Sequence, residues 1–416
     1  VAAFLWSYST WHALAKELGD HARSVDSEHG RESWSTPLVI GTSVLAALLA
    51  TILSGVRHDH ISYIKQWAVI NAGNSPWSEP SNTYFPLHAF LAPLASIHPL
   101  LIKFLFTLIT IGCIFLSALG PVSPTERLTH QAKLTLFIAV SLCPLIISVV
   151  YLQGTNDSLA GSLLFLALIL SAGKKPGRKA ELFAGILIGL GACLKVYPLL
   201  VAPFFVVRER RIRWSFLSAC AATLAIVFSI AFSLWRDSIL EPFRIAGNRG
   251  ATFLSPFNAL SHLGIDASQY SSILMLLALG LFFIYYLIRD IDFPTAVLIG
   301  LALPLLFYRV GHTGFLTYVA IFTPFMVRHW SSLFDNRATG KLSAALLAWM
   351  GFLNWFQLQS ALNCGMTLDT PSRIFRDHGA WPYSIVLALT FATFMRQFSP
   401  SLSWNQIKVR GSDSQP

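Results

Sequence analysis

Gly185-Ile-Leu-Ile-Gly189-Leu-Gly191-Ala-Cys-Leu-Lys195-Val-Tyr-Pro198-Leu-Leu-Val-Ala-Pro203 decides the fold. The stretch is long and apolar enough to enter a bilayer, yet it holds a lysine far from either flank. Its flanks, Lys174-Lys175-Pro176-Gly177-Arg178-Lys179 and Arg208-Glu209-Arg210-Arg211, are both strongly basic. Basic loops stay on the cytosolic side of a membrane, and a single crossing cannot put both flanks there. Pro198 disfavours helix at Tyr197 and removes a backbone donor. Residues 182–207 are therefore expected to form a broken hairpin, two half-length helices meeting near Lys195. A continuous tilted helix is the alternative.

Working outward, the composition agrees. The chain has 416 residues and 45.9 kDa, with 54% hydrophobic and only 12% charged residues. Average soluble domains carry about 25% charge, so a soluble α/β enzyme, a disordered chain and a small disulfide scaffold are all excluded. The net charge of +10 does not imply nucleic acid, because the basic residues fall between apolar runs and form no single face. The five cysteines include no CxxC pair and suggest no disulfide framework. Candidate spans are 37–56, 92–119, 133–152, 157–172, 182–207, 214–235, 270–288, 293–309, 313–327, 342–360 and 380–395. The expectation is an all-α polytopic transmembrane bundle with about 11–12 membrane segments. Prolines within the spans imply a polar cavity that satisfies the freed backbone groups.

The domain reading has three parts. Residues 1–36 form a cytosolic or interfacial segment, not a cleaved signal peptide. Residues 37–395 form the transmembrane domain, and 396–416 a cytosolic tail. Most Lys and Arg fall in the segments this topology puts inside. The larger loops, 57–91, 236–269 and 361–379, fall outside, and function is expected there.

Several residues in these loops carry chemistry. In 57–91, Ile61, Ile64, Trp67 (or Ala68) and Ile70 space a short interfacial helix, with Asp59 near its start and Gly73 near its end. Asp59 is either a helix cap or a general base at the rim of a cavity. His58 and His60 flank it, but alternating residues do not converge simply on one ion, and no metal is expected. Lys195 is costly in a bilayer unless it pairs, with Asp157 as one partner, or faces a polar cavity. Arg309 and His312 in Tyr308-Arg309-Val310-Gly311-His312-Thr313 can hold a phosphate, or form an ordinary polar turn. Arg244 and Arg249 can close over an anion or anchor at the interface. Asn156-Asp157 reads as a polar pair at the outer end of a span.

Three groups of residues resemble glycosyltransferase family 87 of the GT-C superfamily. The first is Asp59…Tyr63 followed by Gly73-Asn-Ser-Pro76-Trp77 and Tyr84-Phe85-Pro86-Leu87. The second is Gly154-Thr155-Asn156-Asp157, and the third is the 185–203 stretch itself. A mycobacterial phosphatidylinositol-mannoside mannosyltransferase is a member of that family. Where members show a Tyr or Phe-Pro-Pro motif, this chain has Phe85-Pro86-Leu87.

The resemblance, covering roughly 37–330, implies a membrane enzyme that uses a polyprenyl-phosphate sugar as donor. Asp59 would be the catalytic base, and His312 matches a His typical of the later external turn. Lys195, Arg309 and His312, with Arg244 and Arg249 secondary, would meet the donor phosphate. His58, His60, Tyr63, Trp77, Tyr84, Asn156, Asp157 and Tyr197 would line the acceptor and substrate pocket. Membrane lipids, a lipid-linked donor and a lipid or glycan acceptor are the partners implied, with no cofactor and no nucleic acid. A transporter of lipid-linked anionic sugars explains Lys195 equally well but needs no external carboxylate. A glycan ligase would want a larger loop rich in Arg and His.

Overall fold

The computed structural model describes residues 35–330, apart from 58, 79–81, 121–127, 174–175, 249, 251–254, 263, 290 and 311–312. The expected spans 342–360 and 380–395, loop 361–379, tail 396–416 and nearly all of segment 1–36 lie outside the described residues. So do His58, Arg249 and His312.

The described chain is almost entirely helical. In order, α1 is Ser35–Ser54, α2 Asp59–Asn71, α3 Pro86–Ala89, α4 Ala92–Ile97 and α5 Leu101–Leu119. Helix α6, His130–Ser141, continues through Pro144–Ile146 into a π-helical segment, Ile147–Leu152. Then follow α7 Asn156–Ala172, α8 Arg178–Ala192 and α9 Tyr197–Val206. A small ribbon comes next, β1 Val207–Arg208 and β2 Arg211–Ile212. The rest is α10 Trp214–Trp235, α11 Glu241–Asn248, α12 Pro256–His262, α13 Ser271–Ile288, α14 Phe293–Phe307 and α15 Leu316–Trp330.

Four helical stretches among the described residues are long and apolar enough to cross a membrane: Thr36–Ser54, Leu101–Leu119, Trp214–Asn248 and Ser268–Ile288. Asn156–Ala172, Tyr197–Val206 and Phe293–Pro304 are shorter apolar helices. Helices α10 and α13 leave Ile226, Ile230, Leu276 and Leu281 exposed, apolar surface suited to lipid but not to water. The protein is an all-α membrane bundle. Two expected spans are interrupted. The 92–119 run breaks into α4 and α5 around Pro99, whose carbonyl is taken by the His60 side chain at 2.7 Å. The 133–152 run changes helix type at Pro144, where no backbone donor exists.

The 182–207 region is a broken hairpin. Helix α8 ends at Ala192 and α9 begins at Tyr197, with Pro198 in its first turn. Both ends are pinned to the same edge of the bundle. Arg208, after α9, donates to the carbonyls of Ser171 and Gly173 at the end of α7. Arg213 pairs with Glu181, in the first turn of α8, at 2.9 Å. The arms are unequal, however. At 1.5 Å per residue α8 rises about 22 Å and α9 about 15 Å, so Lys195 emerges level with the start of α7, not halfway along it.

Small residues make the hairpin fit. A Cβ at Gly185 would sit 2.4 Å from the Phe216 carbonyl oxygen, and one at Gly189 2.7 Å from the Thr223 side chain. The Gly185-x-x-x-Gly189 spacing lets α8 and α10 touch backbone to backbone. The second basic flank forms the β ribbon, with Arg208 opposite Arg211 and Glu209 and Arg210 both at positive φ. That is the backbone a two-residue hairpin turn needs.

Buried cations cap the helix ends. Arg328, 1% exposed, donates to the carbonyls of Ser117 and Gly120 at the end of α5. Lys103 donates to Ser54 Oγ at 2.6 Å and to the Gly55 carbonyl at 2.7 Å, at the end of α1. The last carbonyls of a helix lack partners within it and carry partial negative charge. Each cation satisfies them and offsets its own desolvation.

Candidate active site

The site forms at the edge of the bundle opposite Arg208 and Arg328. Meeting there are the end of α1, helix α2, the starts of α7 and α15, and the α8–α9 break. Helix α2 begins at Asp59, as the sequence indicates, and its inward face joins Trp67 of the expected apolar stripe to residues outside that stripe. His60, Tyr63, Gln66 and Trp67 are buried, while Ile61 is exposed. The inward face is aromatic and polar, and most of its polar ends find partners, in the loop beyond, on α7 or within the helix. Trp67 Nε1 donates to the His88 carbonyl at 2.9 Å, and His88 Nε2 donates to Gln66 Oε1 at 3.0 Å. Tyr63 packs edge-on to His88 and Tyr84, at 4.8 and 5.1 Å between ring centres.

Burial sets the charge of this box. It holds His88 far below the ordinary imidazole range, at about 3, with the Lys195 charge adding to the effect. Burial lowers His60 too, partly offset by its bond to Pro99. It drives the Tyr63 phenol well above its usual range, helped by the nearby Tyr84, Asp59 and Asp157. The box is neutral, and Asp59, exposed at its rim, lies within electrostatic reach of Tyr63.

Tyr63 connects this box to a charged pair. Its hydroxyl donates to Asn156 Oδ1 at 3.3 Å, and Asn156 and Asp157 open α7. Lys195 Nζ stands 3.3 Å from Asp157 Oδ1. Its alignment is not that of a hydrogen bond, so Oδ1 remains without one. The same ammonium lies 4.6 Å from the centre of the Tyr84 ring and 5.8 Å from that of Phe315. A cation against aromatic faces gains roughly 0.5–2 kcal/mol according to its desolvation. Tyr197 continues the aromatic wall, 4.5 Å from Phe315 and 5.9 Å from Tyr318. Gly314 permits the closure: a Cβ there would fall 2.6 Å from Asp157 Oδ2.

Other expected residues do supporting work. Trp77 is buried against Trp235 and donates to the Tyr84 carbonyl at 3.0 Å, fixing that loop rather than lining a pocket. His60 is likewise wedged inside, bonded to Pro99. Arg309 donates to the carbonyls of Ala246 and Gly247 at the end of α11. Arg244 is exposed and paired with Glu241 at 2.7 Å. Asp59, Tyr63, Tyr84, Asn156, Asp157, Lys195 and Tyr197 are thus connected through direct contacts or electrostatic reach; Trp77 touches that chain of contacts only through the Tyr84 carbonyl, and Arg244 stands apart from it.

Sequence reasoning missed His88, Gln66, Phe315 and Tyr318. Only His88, two residues after Pro86 in the Tyr84-Phe85-Pro86 run, offered a local signal. Lys103 was visible as an intramembrane lysine, but its partners lie on α1, which no spacing reveals. Among the described residues, no three His, Cys, Asp or Glu side chains converge as metal ligands would.

A carboxylate at the rim, a half-buried cation and a neutral aromatic floor suit transfer of a group from an anionic donor to a neutral nucleophile. Residues 82–258 match the model of glycosyltransferase family 87, from the Asn82–Tyr84 loop through the α8–α9 hairpin and on into α12. A search of curated proteins finds no match. The chain is a membrane protein whose residues 82–258 match glycosyltransferase family 87, and that match supports glycosyltransferase activity.

Proposed function

We propose that this protein is an integral membrane glycosyltransferase that moves a sugar, mannose in the first instance, from a polyprenyl-phosphate donor to a hydroxyl of a lipid or glycan acceptor. It would act on the extracytoplasmic face of a bacterial plasma membrane, without a metal. The observation that carries this reading is the Lys195–Asp157 pair set among Tyr84 and Phe315, with Asp59 one helical turn from Tyr63 at its rim. The transfer inverts the anomeric carbon. A bond forms from the acceptor oxygen to that carbon as the carbon–oxygen bond to phosphate breaks, and the electron pair leaves with the phosphate. Asp59 takes the acceptor proton. Lys195 meets the charge growing on the phosphate, with Arg309, His312 and Arg249 as further candidate cations. The isoprenoid tail lies among the apolar spans.

The test is incubation of the purified protein with radiolabelled polyprenyl-phosphate sugars and a membrane-lipid extract. Transfer is expected with at least one donor, unchanged by chelator. Asp59→Asn should lower kcat by about 10²–10⁴-fold while the donor still binds. Undiminished transfer by Asp59→Asn removes the base from the mechanism.

A further inference from the structure

The opening of α7 holds more polar atoms than the protein satisfies. Asn156 Nδ2, Asp157 Oδ1, Thr155 Oγ1 and the hydroxyls of Thr317 and Tyr318 are all buried without a hydrogen-bond partner. Orphans of this kind are rare in native proteins, because each costs roughly 1–3 kcal/mol of lost hydration. Here they gather at one place. Asn156 and Asp157 are consecutive. Tyr318 lies one turn further along α7, its Cα and ring edge each 3.4 Å from the position a Cβ would take at Gly161. The Asp157 carboxylate is within electrostatic reach of the Tyr318 hydroxyl. Thr155 does not cap the helix it precedes. Asn156 is held rigidly, since Tyr63 donates to its Oδ1 at 3.3 Å, leaving its amide N–H groups as the free donors.

The set is chemically specific. It presents an amide donor, a carboxylate acceptor and a hydroxyl able to do either, inside a wall formed by Tyr197, Phe315 and Tyr318. A phosphate does not suit it, because Asp157 would repel the anion. A neutral polyol does: vicinal hydroxyls donate to a carboxylate and accept from an amide. Dry aromatic surroundings make each such bond count for more than it would in water.

We infer that Asn156, Asp157 and Tyr318 form the subsite that reads the ring hydroxyls of the donor's sugar, next to the Lys195 position that meets its phosphate. This rests on the transfer reaction proposed above for the division between sugar and phosphate, but its binding test does not require turnover. Tyr318→Phe removes only an orphaned hydroxyl, so packing against Gly161 and Tyr197 persists. Asn156→Asp keeps the acceptor for Tyr63 and deletes the free amide.

The full-length protein in detergent is titrated with polyprenyl phosphate bearing mannose, glucose, galactose or arabinose, and with bare polyprenyl phosphate. The wild type should bind one glycosylated lipid about 10-fold or more tightly than the bare one. Tyr318→Phe should lose about 3–10-fold of that preference, with binding of the bare lipid unchanged. Asn156→Asp repeats the measurement should Tyr318→Phe not fold. The subsite is overturned by a wild type with no sugar preference, or by a preference that survives intact in the variant. Sugar preference without transfer in the radiolabel assay would defeat the transferase reading alone.

Discussion

The two edges of this bundle use the same material in opposite ways. At the edge holding Arg208 and Arg328, buried guanidinium groups meet helix-end carbonyls, and Asp292 meets His329 at 2.8 Å while its carboxylate also accepts from the Thr295 amide. At the edge holding Asp59, Lys195 shares a loosely aligned pair with Asp157 among side chains whose polar atoms are left over. Desolvating a charge is costly in both places. The first edge recovers the cost within the fold, as Lys103 also does at the end of α1, whereas the Lys195–Asp157 pair leaves part of it to be recovered by a ligand. Buried charge alone does not mark a functional site; incomplete satisfaction beside it does.

That contrast can be broken at its satisfied edge first. Arg328→Ala should destabilise the protein by about 3–5 kcal/mol, read as a fall in folded yield and melting temperature in detergent. Donor KM in the folded fraction should not change. A large change in KM with normal stability would show the two edges to be less distinct than argued.

At the unsatisfied edge, Lys195→Met should lower kcat/KM about 10²-fold. It should also destabilise by roughly 2–3 kcal/mol, because Asp157 is left buried and unpaired. Adding Asp157→Asn should restore stability without restoring turnover. If the double variant recovers both, the pair is structural, like its counterparts across the bundle.

The pH response separates the edges further. His88 has its pKa depressed by burial to about 3 in the folded protein, against 6.5 when unfolded. Its stabilising contribution is complete above pH 6.5, and it is lost as pH falls toward 3, because only the unfolded chain takes up the proton. The loss should approach 1.4 kcal/mol per pH unit below 6.5, an order-of-magnitude slope. His88→Gln should flatten that acid limb in a series of melting curves. The smallest effect belongs to Trp77→Phe, which deletes one bond to the Tyr84 carbonyl. It should cost about 1 kcal/mol and raise donor KM a few-fold by loosening the Tyr84 loop. An unchanged KM would confine Trp77 to packing.

Much of this was legible without coordinates, for reasons that can be named. The basic flanks at 174–179 and 208–211 with Pro198 between them favoured a return of the chain over a continuous tilted helix, and the return is present. Asp59 opens its helix as its sequence position implies. The spacing of Ile61, Ile64, Trp67 and Ile70 indicated the helix α2 but not that His60, Tyr63 and Gln66 would join Trp67 on its inward face, because periodicity registers hydrophobicity and cannot register partners. The carbonyls of Pro99 and His88 and the side chain of Asn156 make a polar aromatic face cheaper to bury there than an aliphatic one.

The sequence by itself determined that the chain is a helical membrane protein, that it breaks near Lys195, and that its acid and cations gather in a few loops. These follow from composition, charge bias and the missing amide of proline, all local or additive properties. Only the tertiary structure decided which cations cap helices and which face carboxylates, and that Tyr318 and Phe315 join the starts of α7 and α9. Those outcomes depend on distances between segments far apart in the chain, where small residues such as Gly185, Gly189 and Gly314 set how closely backbones and side chains can approach.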